Sequence, residues 1–201
     1  MLPEIDTGRL KLRLARPGME APMASFLSEN FAGHLDRWFP PVSEAYFTEG
    51  YWHERLAAWV DDYRADRGAR FVMQLRAADG GEPPLQAPLV GSCSYTNFVR
   101  GAFHACHLGY QVGREYEGRG FMSEALRGCN SFVFGALRMH RIMANFRPEN
   151  GRSRALLQRL RFVEEGFAAE YLFIDGAWRD HVLTALVNRA YDDTWLAARR
   201  A

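Results

Sequence analysis

The chain has 201 residues, 48% of them hydrophobic and 24% charged, with a formal net charge of +1. That is enough length to bury a core without staples, and no basic field argues for nucleic acid or an anionic membrane surface. Residues 1–10 have neither a positive n-region nor an apolar h-region, no apolar run reaches spanning length, and Cys93, Cys106 and Cys129 lack any C-x-x-C pairing, so a reducing cytoplasm is the expected location. One domain is expected over 1–201, with its core at about 9–188 and a loosely held tail at 189–201.

Leu10, Leu12 and Leu14 alternate with Arg9, Lys11 and Arg13, the period of a half-buried strand over 9–16. Pro17-Gly18 breaks it, and 19–29 reads as a short helix with Pro22 in its first turn. Residues 31–41 are aromatic and irregular, closed by Pro40-Pro41. A better helix covers 51–67, with Trp52, Leu56, Trp59, Val60 and Tyr63 on one face. Strands at 71–76 and 89–99 flank a hairpin loop around Gly80, Gly81, Pro83 and Pro84. After the Arg100-Gly101 turn, 102–112 is a strand in which Leu108, Tyr110 and Val112 alternate with His107, Gly109 and Gln111.

That strand runs into a turn bearing Gly118 and Gly120, then a helix whose Met122, Ala125, Leu126, Cys129, Phe132, Val133, Ala136 and Leu137 recur on one face. The first amides of a helix lack intrahelical partners and point outward, so this turn is a ready anion site, flanked by Arg114 and Arg119. The alternative is a plain surface turn with solvated arginines. Neither G-x-G-x-x-G after a strand nor G-x-x-x-x-G-K-[ST] is present, which excludes dinucleotide and P-loop signatures. A short strand follows at 139–146, a helix at 150–160 capped by Asn150, a strand at 167–174, an Asp175-Gly176 turn and a strand at 178–187. The order predicts a mixed α/β fold, a mostly antiparallel sheet of about seven strands flanked by helices.

The window Glu117-Gly118-Arg119-Gly120-Phe121-Met122 and the order of elements resemble the GNAT N-acetyltransferases, which seat the diphosphate of acetyl-CoA on a [QR]-x-x-G-x-[GA] turn. Glu117 and Met122 depart from that pattern. Within the family, runs at 99–101, 103–106, 108–110, 140–145 and 174–186 resemble the RimJ-type subgroup that acetylates the N-terminal alanine of ribosomal proteins. The resemblance implies acetyl-CoA as co-substrate and no metal. It places the diphosphate on Glu117, Gly118, Arg119, Gly120, Phe121, Met122 and Ser123 with Arg114 alongside, and the pantetheine arm on Tyr110, Gln111 and Val112. It further implies that Asn150 contacts the arm, that Ser153 lies near the thioester sulfur as acid, and that Glu170 is the base. A solvated strand residue is the alternative for Glu170, and a helix cap for Asn150. The family's tyrosine in Leu-Tyr-x-x-x-Gly-Phe is Leu157 here, and its glycine is Arg161.

An α-amino group titrates near about 7.7–8.0, so a modest carboxylate base suffices for a protein N-terminus. The implied partner is the N-terminal peptide of a ribosomal protein, with ribosome association and homodimerisation as further options. Two other readings stay open: the same chemistry on another amine, and a non-catalytic acyl-CoA-binding or ribosome-associated protein. His104, Cys106 and His107 look like a cluster, but alternation sets His107 on the opposite face, and no metal-ligand spacing exists. His140 and His181 read as satisfied structural residues. Trp38, Trp52, Trp59 and Trp178 read as core or groove walls, with Phe39 and Tyr46 as slot candidates. Glu164, Glu165, Asp175 and Asp180 read as a solvated face or an acidic rim on the acceptor side.

Overall fold

The computed structural model describes residues 1–77, 79–192 and 194. In chain order the elements are β1 (Glu4–Asp6), β2 (Leu10–Leu14), α1 (Glu20–Asn30), α2 (Glu49–Arg64), β3 (Ala69–Leu75), β4 (Leu89–Val99) and β5 (Ala105–Val112). They continue with α3 (Phe121–Gly135), β6 (Arg141–Phe146), α4 (Gly151–Arg159), β7 (Val163–Ile174) and β8 (Ala177–Val187). Eight strands form one sheet in the order β1-β2-β3-β4-β5-β6-β8-β7, antiparallel except where β5 meets β6. The parallel junction is made by the crossover through α3, as expected for a mixed sheet.

The eighth strand is β1, whose three residues are too short to show a period. It is held by its register with β2, Ile5 facing Leu12. The two faces of the sheet carry separate apolar clusters. On one, Leu10, Leu12, Leu14, Phe71 and Met73 pack against Met122, Ala125, Leu126, Cys129 and Val133 of α3. On the other, Val72 packs with Met19, Phe26 and Leu27 from the first helical layer and Trp52 and Leu56 from α2. Each fully buried leucine there contributes about 1.5–3 kcal/mol from removal of its surface from water.

β2 departs from the expected half-burial: all five of its residues are buried. Lys11 and Arg13 are covered because the 80–85 loop folds over them. Lys11 Nζ lies 2.8 Å from Glu82, 3.0 Å from Glu4 and 3.3 Å from Asp6, and Arg13 bonds Gln74 and the Pro83 carbonyl. The expected loose tail falls largely outside the described residues. Just before it Asn188 N–H donates to the His140 carbonyl, and within its described start the Tyr191 ring lies 5.0 Å from that of His140.

Candidate active site

β5 and β6 pair only through Ala105–His107 and Arg141–Met143. Past that point β6 follows β8 to Phe146 opposite Val182, while β5 follows β4 to Val112 opposite Gly91. The two strands therefore part, leaving a notch in the sheet. Gly113 N–H donates to the Val90 carbonyl at 2.9 Å, and the antiparallel alternation that follows turns the main-chain groups of Tyr110 and Val112 away from β4, toward the notch. Gln111 turns its main chain to β4 and donates its side-chain amide to Ser92 Oγ at 3.0 Å.

At the end of β5 the chain makes a 3-10 turn over Arg114–Tyr116 and reaches α3 through two left-handed glycines, Gly118 at φ 72° and Gly120 at φ 79°. Gly120 is the N-cap of α3, and its carbonyl accepts from Glu124 N–H at 3.1 Å. The side chains of Phe121, Met122 and Ser123 are buried, and a Cβ added at Gly118 would meet nothing within 4 Å. The turn is open at Gly118, while at Gly120 the Arg9 guanidinium comes within 3.5 Å of where a Cβ would sit; helix-start amides beside a cation fit a diphosphate. Arg119 lies over the rings of Phe121 and Tyr116, with its guanidinium carbon 5.1 and 5.9 Å from their centroids. Arg9 braces the turn by bonding Glu124 and the Arg119 carbonyl. Arg114 is directed elsewhere: Nη2 donates to the Gly33 carbonyl at 2.8 Å, and its N–H to Asn30 Oδ1 at 2.8 Å. Glu117 is ion-paired with Arg152 at the start of α4, so its charge is compensated.

Across the notch, Asn150 caps α4, Oδ1 accepting from Ser153 N–H at 3.0 Å. Ser153 Oγ lies 2.6 Å from the Tyr110 hydroxyl. Burial pushes the Tyr110 phenol up to about 12. Leu157 is buried in the core, and Arg161 keeps the left-handed geometry of the glycine it replaces, at φ 66°. Arg161 and Phe162 N–H groups donate to the carbonyls of Gln158 and Leu157, closing the helix at a cost of about 1 kcal/mol for the non-glycine residue.

Glu170 stands at an irregularity between Ala168 and Leu172 in the β7–β8 register, with φ 48°. Its N–H donates to Asp180 Oδ1 at 2.8 Å, and the residue is exposed. The next residue, Tyr171, accepts from Asn145 Nδ2 of β6 at 3.3 Å, which holds the irregularity beside the far wall of the notch.

Residues 31–39 form a strap that the sequence showed only as an irregular aromatic run. The chain kinks at Ala32 and Gly33, the latter at φ 68°. His34 Nε2 lies 3.0 Å from the Val112 carbonyl. The carbonyls of Gly33, Arg37 and Phe39 then accept from Arg114, Arg147 and the N–H of Asp175, carrying the strap from the end of β5 past β6 to the β7–β8 turn. Trp38 lies beneath Arg147, 5.3 Å from its guanidinium carbon. Tyr46 packs among Phe31, Phe47, Tyr51 and Trp52, and burial pushes its phenol up to about 12. Trp52 is core, whereas Trp178 is exposed against Phe173.

The remaining candidates are engaged structurally. The Cys106 thiol is fully buried, which pushes it up to about 12 and away from nucleophilic use. His104 lies 3.1 Å from Arg100 Nη1, and His181 Nδ1 lies 2.9 Å from the Arg179 carbonyl. The acidic rim is largely compensated, Glu164 by Arg154, Glu165 by Arg141 and Asp175 by Arg179. Among the described residues no group of three His, Cys, Asp or Glu side chains has metal-holding geometry.

Residues 9–163 match the family model described as an acetyltransferase (GNAT) domain. The chain is 39% identical over 184 residues to the [ribosomal protein uS5]-alanine N-acetyltransferase of Escherichia coli K12, covering 92% of this chain and 90% of that one. It is similar in structure to the ribosomal-protein-S5-alanine acetyltransferase of Vibrio fischeri, with TM-score 0.85, 33% identity and coverage of 94% of this chain and 99% of that one. Mycobacterium smegmatis RimJ in complex with CoA-disulfide superposes with TM-score 0.80 at 30% identity, covering 99% of this chain and 94% of that one. With the split β5–β6 pair and the glycine turn that opens α3 in place, this chain belongs to the GNAT family of N-acetyltransferases.

Proposed function

We propose that this protein, acting as one domain over its whole length, moves the acetyl group of acetyl-CoA to the α-amino group of an N-terminal alanine of a small-subunit ribosomal protein. The observation that carries the donor half is the α3 N-terminus after the Gly118–Gly120 turn, which has no side-chain cap and is open at Gly118. The acceptor half is supported by the Escherichia coli relative. Bound acetyl-CoA supplies an activated acyl thioester.

The chain's own residues then have separable tasks. Main-chain amides of Phe121, Met122 and Ser123 neutralise the diphosphate, aided by the α3 dipole. Tyr110 and the Val112 N–H present an edge on which an amide-bearing arm pairs as an added strand, the Val112 carbonyl being engaged by His34. Asn150 fixes the first turn of α4, and Ser153 faces the departing sulfur. Glu170, exposed beside the acceptor entrance, takes the proton that the amine nitrogen releases, directly or through water. Little is asked of that base, since an α-amine, titrating near about 7.7–8.0, is already about half neutral at pH 8. Among the described residues no helix is long and apolar enough to cross a membrane.

The test is CoA release with alanine-initiated peptides copied from ribosomal proteins, set against peptides with other first residues and against small amines. Turnover confined to alanine-initiated peptides is expected. Turnover only with small amines would reassign the acceptor, and tight CoA binding without turnover would leave a binding module.

A further inference from the structure

The chain lacks a hydroxyl at Leu157 on α4, yet a phenol reaches the same helix from the sheet. Tyr110 and Ser153 come from elements 43 residues apart, and their oxygens lie 2.6 Å from one another. Building on the acetyl-transfer reading above, we propose that Tyr110 is a positioning residue for the leaving group: its hydroxyl donates to Ser153 Oγ and so aims the serine's own proton at the thioester sulfur.

The donor direction follows from acidity and burial. A phenol is far more acidic than an aliphatic alcohol, so it is the better donor of the two. Burial of much of the ring also keeps Tyr110 protonated, and Ser153 Oγ is the acceptor at hand for its part-buried O–H. With Ser153 Oγ receiving that proton, the serine's single hydrogen is directed away from Tyr110. The backbone of Ser153 is fixed independently by Asn150, whose Oδ1 accepts its N–H at 3.0 Å. Backbone and hydroxyl are therefore set by two different residues, which leaves the serine little rotational freedom. A chain of hydrogen bonds also polarises each member, so an O–H that itself accepts from a phenol is a stronger donor. Because the main chain of Tyr110 also forms the notch edge, one residue ties seating of the pantetheine arm to aim at the sulfur.

The balance of the step is simple. The amine nitrogen bonds the acyl carbon, the C–S bond breaks, and its electron pair leaves on sulfur. Ser153 Oγ–H hydrogen-bonds that sulfur. The nitrogen loses one proton to the base, the sulfur takes one from Ser153 Oγ, and solvent reprotonates the serine, so Tyr110 and Ser153 end with the protons they began with.

A bond that merely fastened α4 to β5 would behave differently from one that acts through Ser153. The experiment is a double-mutant cycle with Tyr110→Phe, Ser153→Ala and the double variant, reading kcat, KM for acetyl-CoA and thermal midpoint. Phenylalanine keeps the ring packing. Tyr110→Phe is expected to lower kcat about tenfold and leave KM within about twofold, the size of one positioned hydrogen bond. In the Ser153→Ala background the same substitution is expected to do nothing further to kcat. Equal losses in both backgrounds would overturn the proposal, as would an unchanged kcat with a lowered midpoint. An unsubstituted protein that bound CoA but acetylated no amine would instead overturn the acetyl-transfer reading, and this inference with it.

Discussion

Replacing Gly91 by alanine tests the β4–β5 wall of the notch in a way that separates packing from chemistry. Gly91 faces Val112 across the ladder, immediately after a register shift at Met73/Gln74. A Cβ there would lie 2.3 Å from the Gln111 carbonyl oxygen and 3.0 Å from Val112 Cα. Both neighbours are backbone, so no rotamer change relieves the overlap and β5 itself must move. Overpacking of this kind costs about 1–3 kcal/mol, and a backbone clash belongs at the top of that range. For a chain of this size about 3 kcal/mol lowers the thermal midpoint by about 6–12 °C. The shift displaces the residues that line the notch, so KM for acetyl-CoA should rise several-fold in the same variant. Gly109→Ala is the control: it lies on β5 with nothing within 4 Å of an added Cβ, and should stay within about 0.5 kcal/mol of the parent. Scanning calorimetry and steady-state kinetics on the two variants decide the matter. If Gly91→Ala melts with Gly109→Ala and keeps its KM, β5 is not held against β4 as described.

Glu170→Gln should lower kcat about 100-fold with the KM for acetyl-CoA unchanged and the thermal midpoint nearly so, because only the Glu170 N–H is engaged; full activity in the variant would remove it as the base. Glu117→Gln takes a carboxylate from the phosphate side and releases Arg152, so KM for acetyl-CoA should fall about two- to fivefold at low salt. That gain should shrink in about 0.5 M salt, and a rise in KM would contradict it. Acid stability follows from carboxylates held below their ordinary values. Burial pushes Glu4, Asp62 and Glu124 up, but hydrogen bonds outweigh it: Lys11 and Arg16 at Glu4, Arg67 and Arg70 at Asp62, Thr7 and Arg9 at Glu124. Their stabilisation is complete above the unfolded values of 4.5 and 3.8 and is lost as pH falls through the lower folded ones. Urea midpoints should be level from pH 7 to about 5 and drop below about 4.5; a flat profile to pH 3 would refute this.

The elements with strong periodicity were legible from residues alone. Leu108, Tyr110 and Val112 announced β5, and Gly118 with Gly120 marked a turn whose left-handed backbone opens α3. What escaped depends on contacts between distant segments. Lys11 and Arg13 looked like a solvated face because nothing local says that the 80–85 loop covers them. Arg114 is adjacent to the turn in sequence, but its guanidinium is directed to Gly33. The strand reading of 167–174 gave no sign of the irregularity at Glu170, since a register shift leaves no mark in composition. Tyr110 was readable as strand edge, whereas its bond to Ser153 needed α4 brought over the notch.

The strap has a wider consequence. Its principal ties are peptide oxygens, those of Gly33, Arg37 and Phe39, received by donors on three separate parts of the fold. A tether made of main-chain atoms is indifferent to most side-chain changes along it. Strap side chains that touch none of those donors can therefore be exchanged during evolution without loosening the loop, so selectivity can drift on a fixed catalytic chassis.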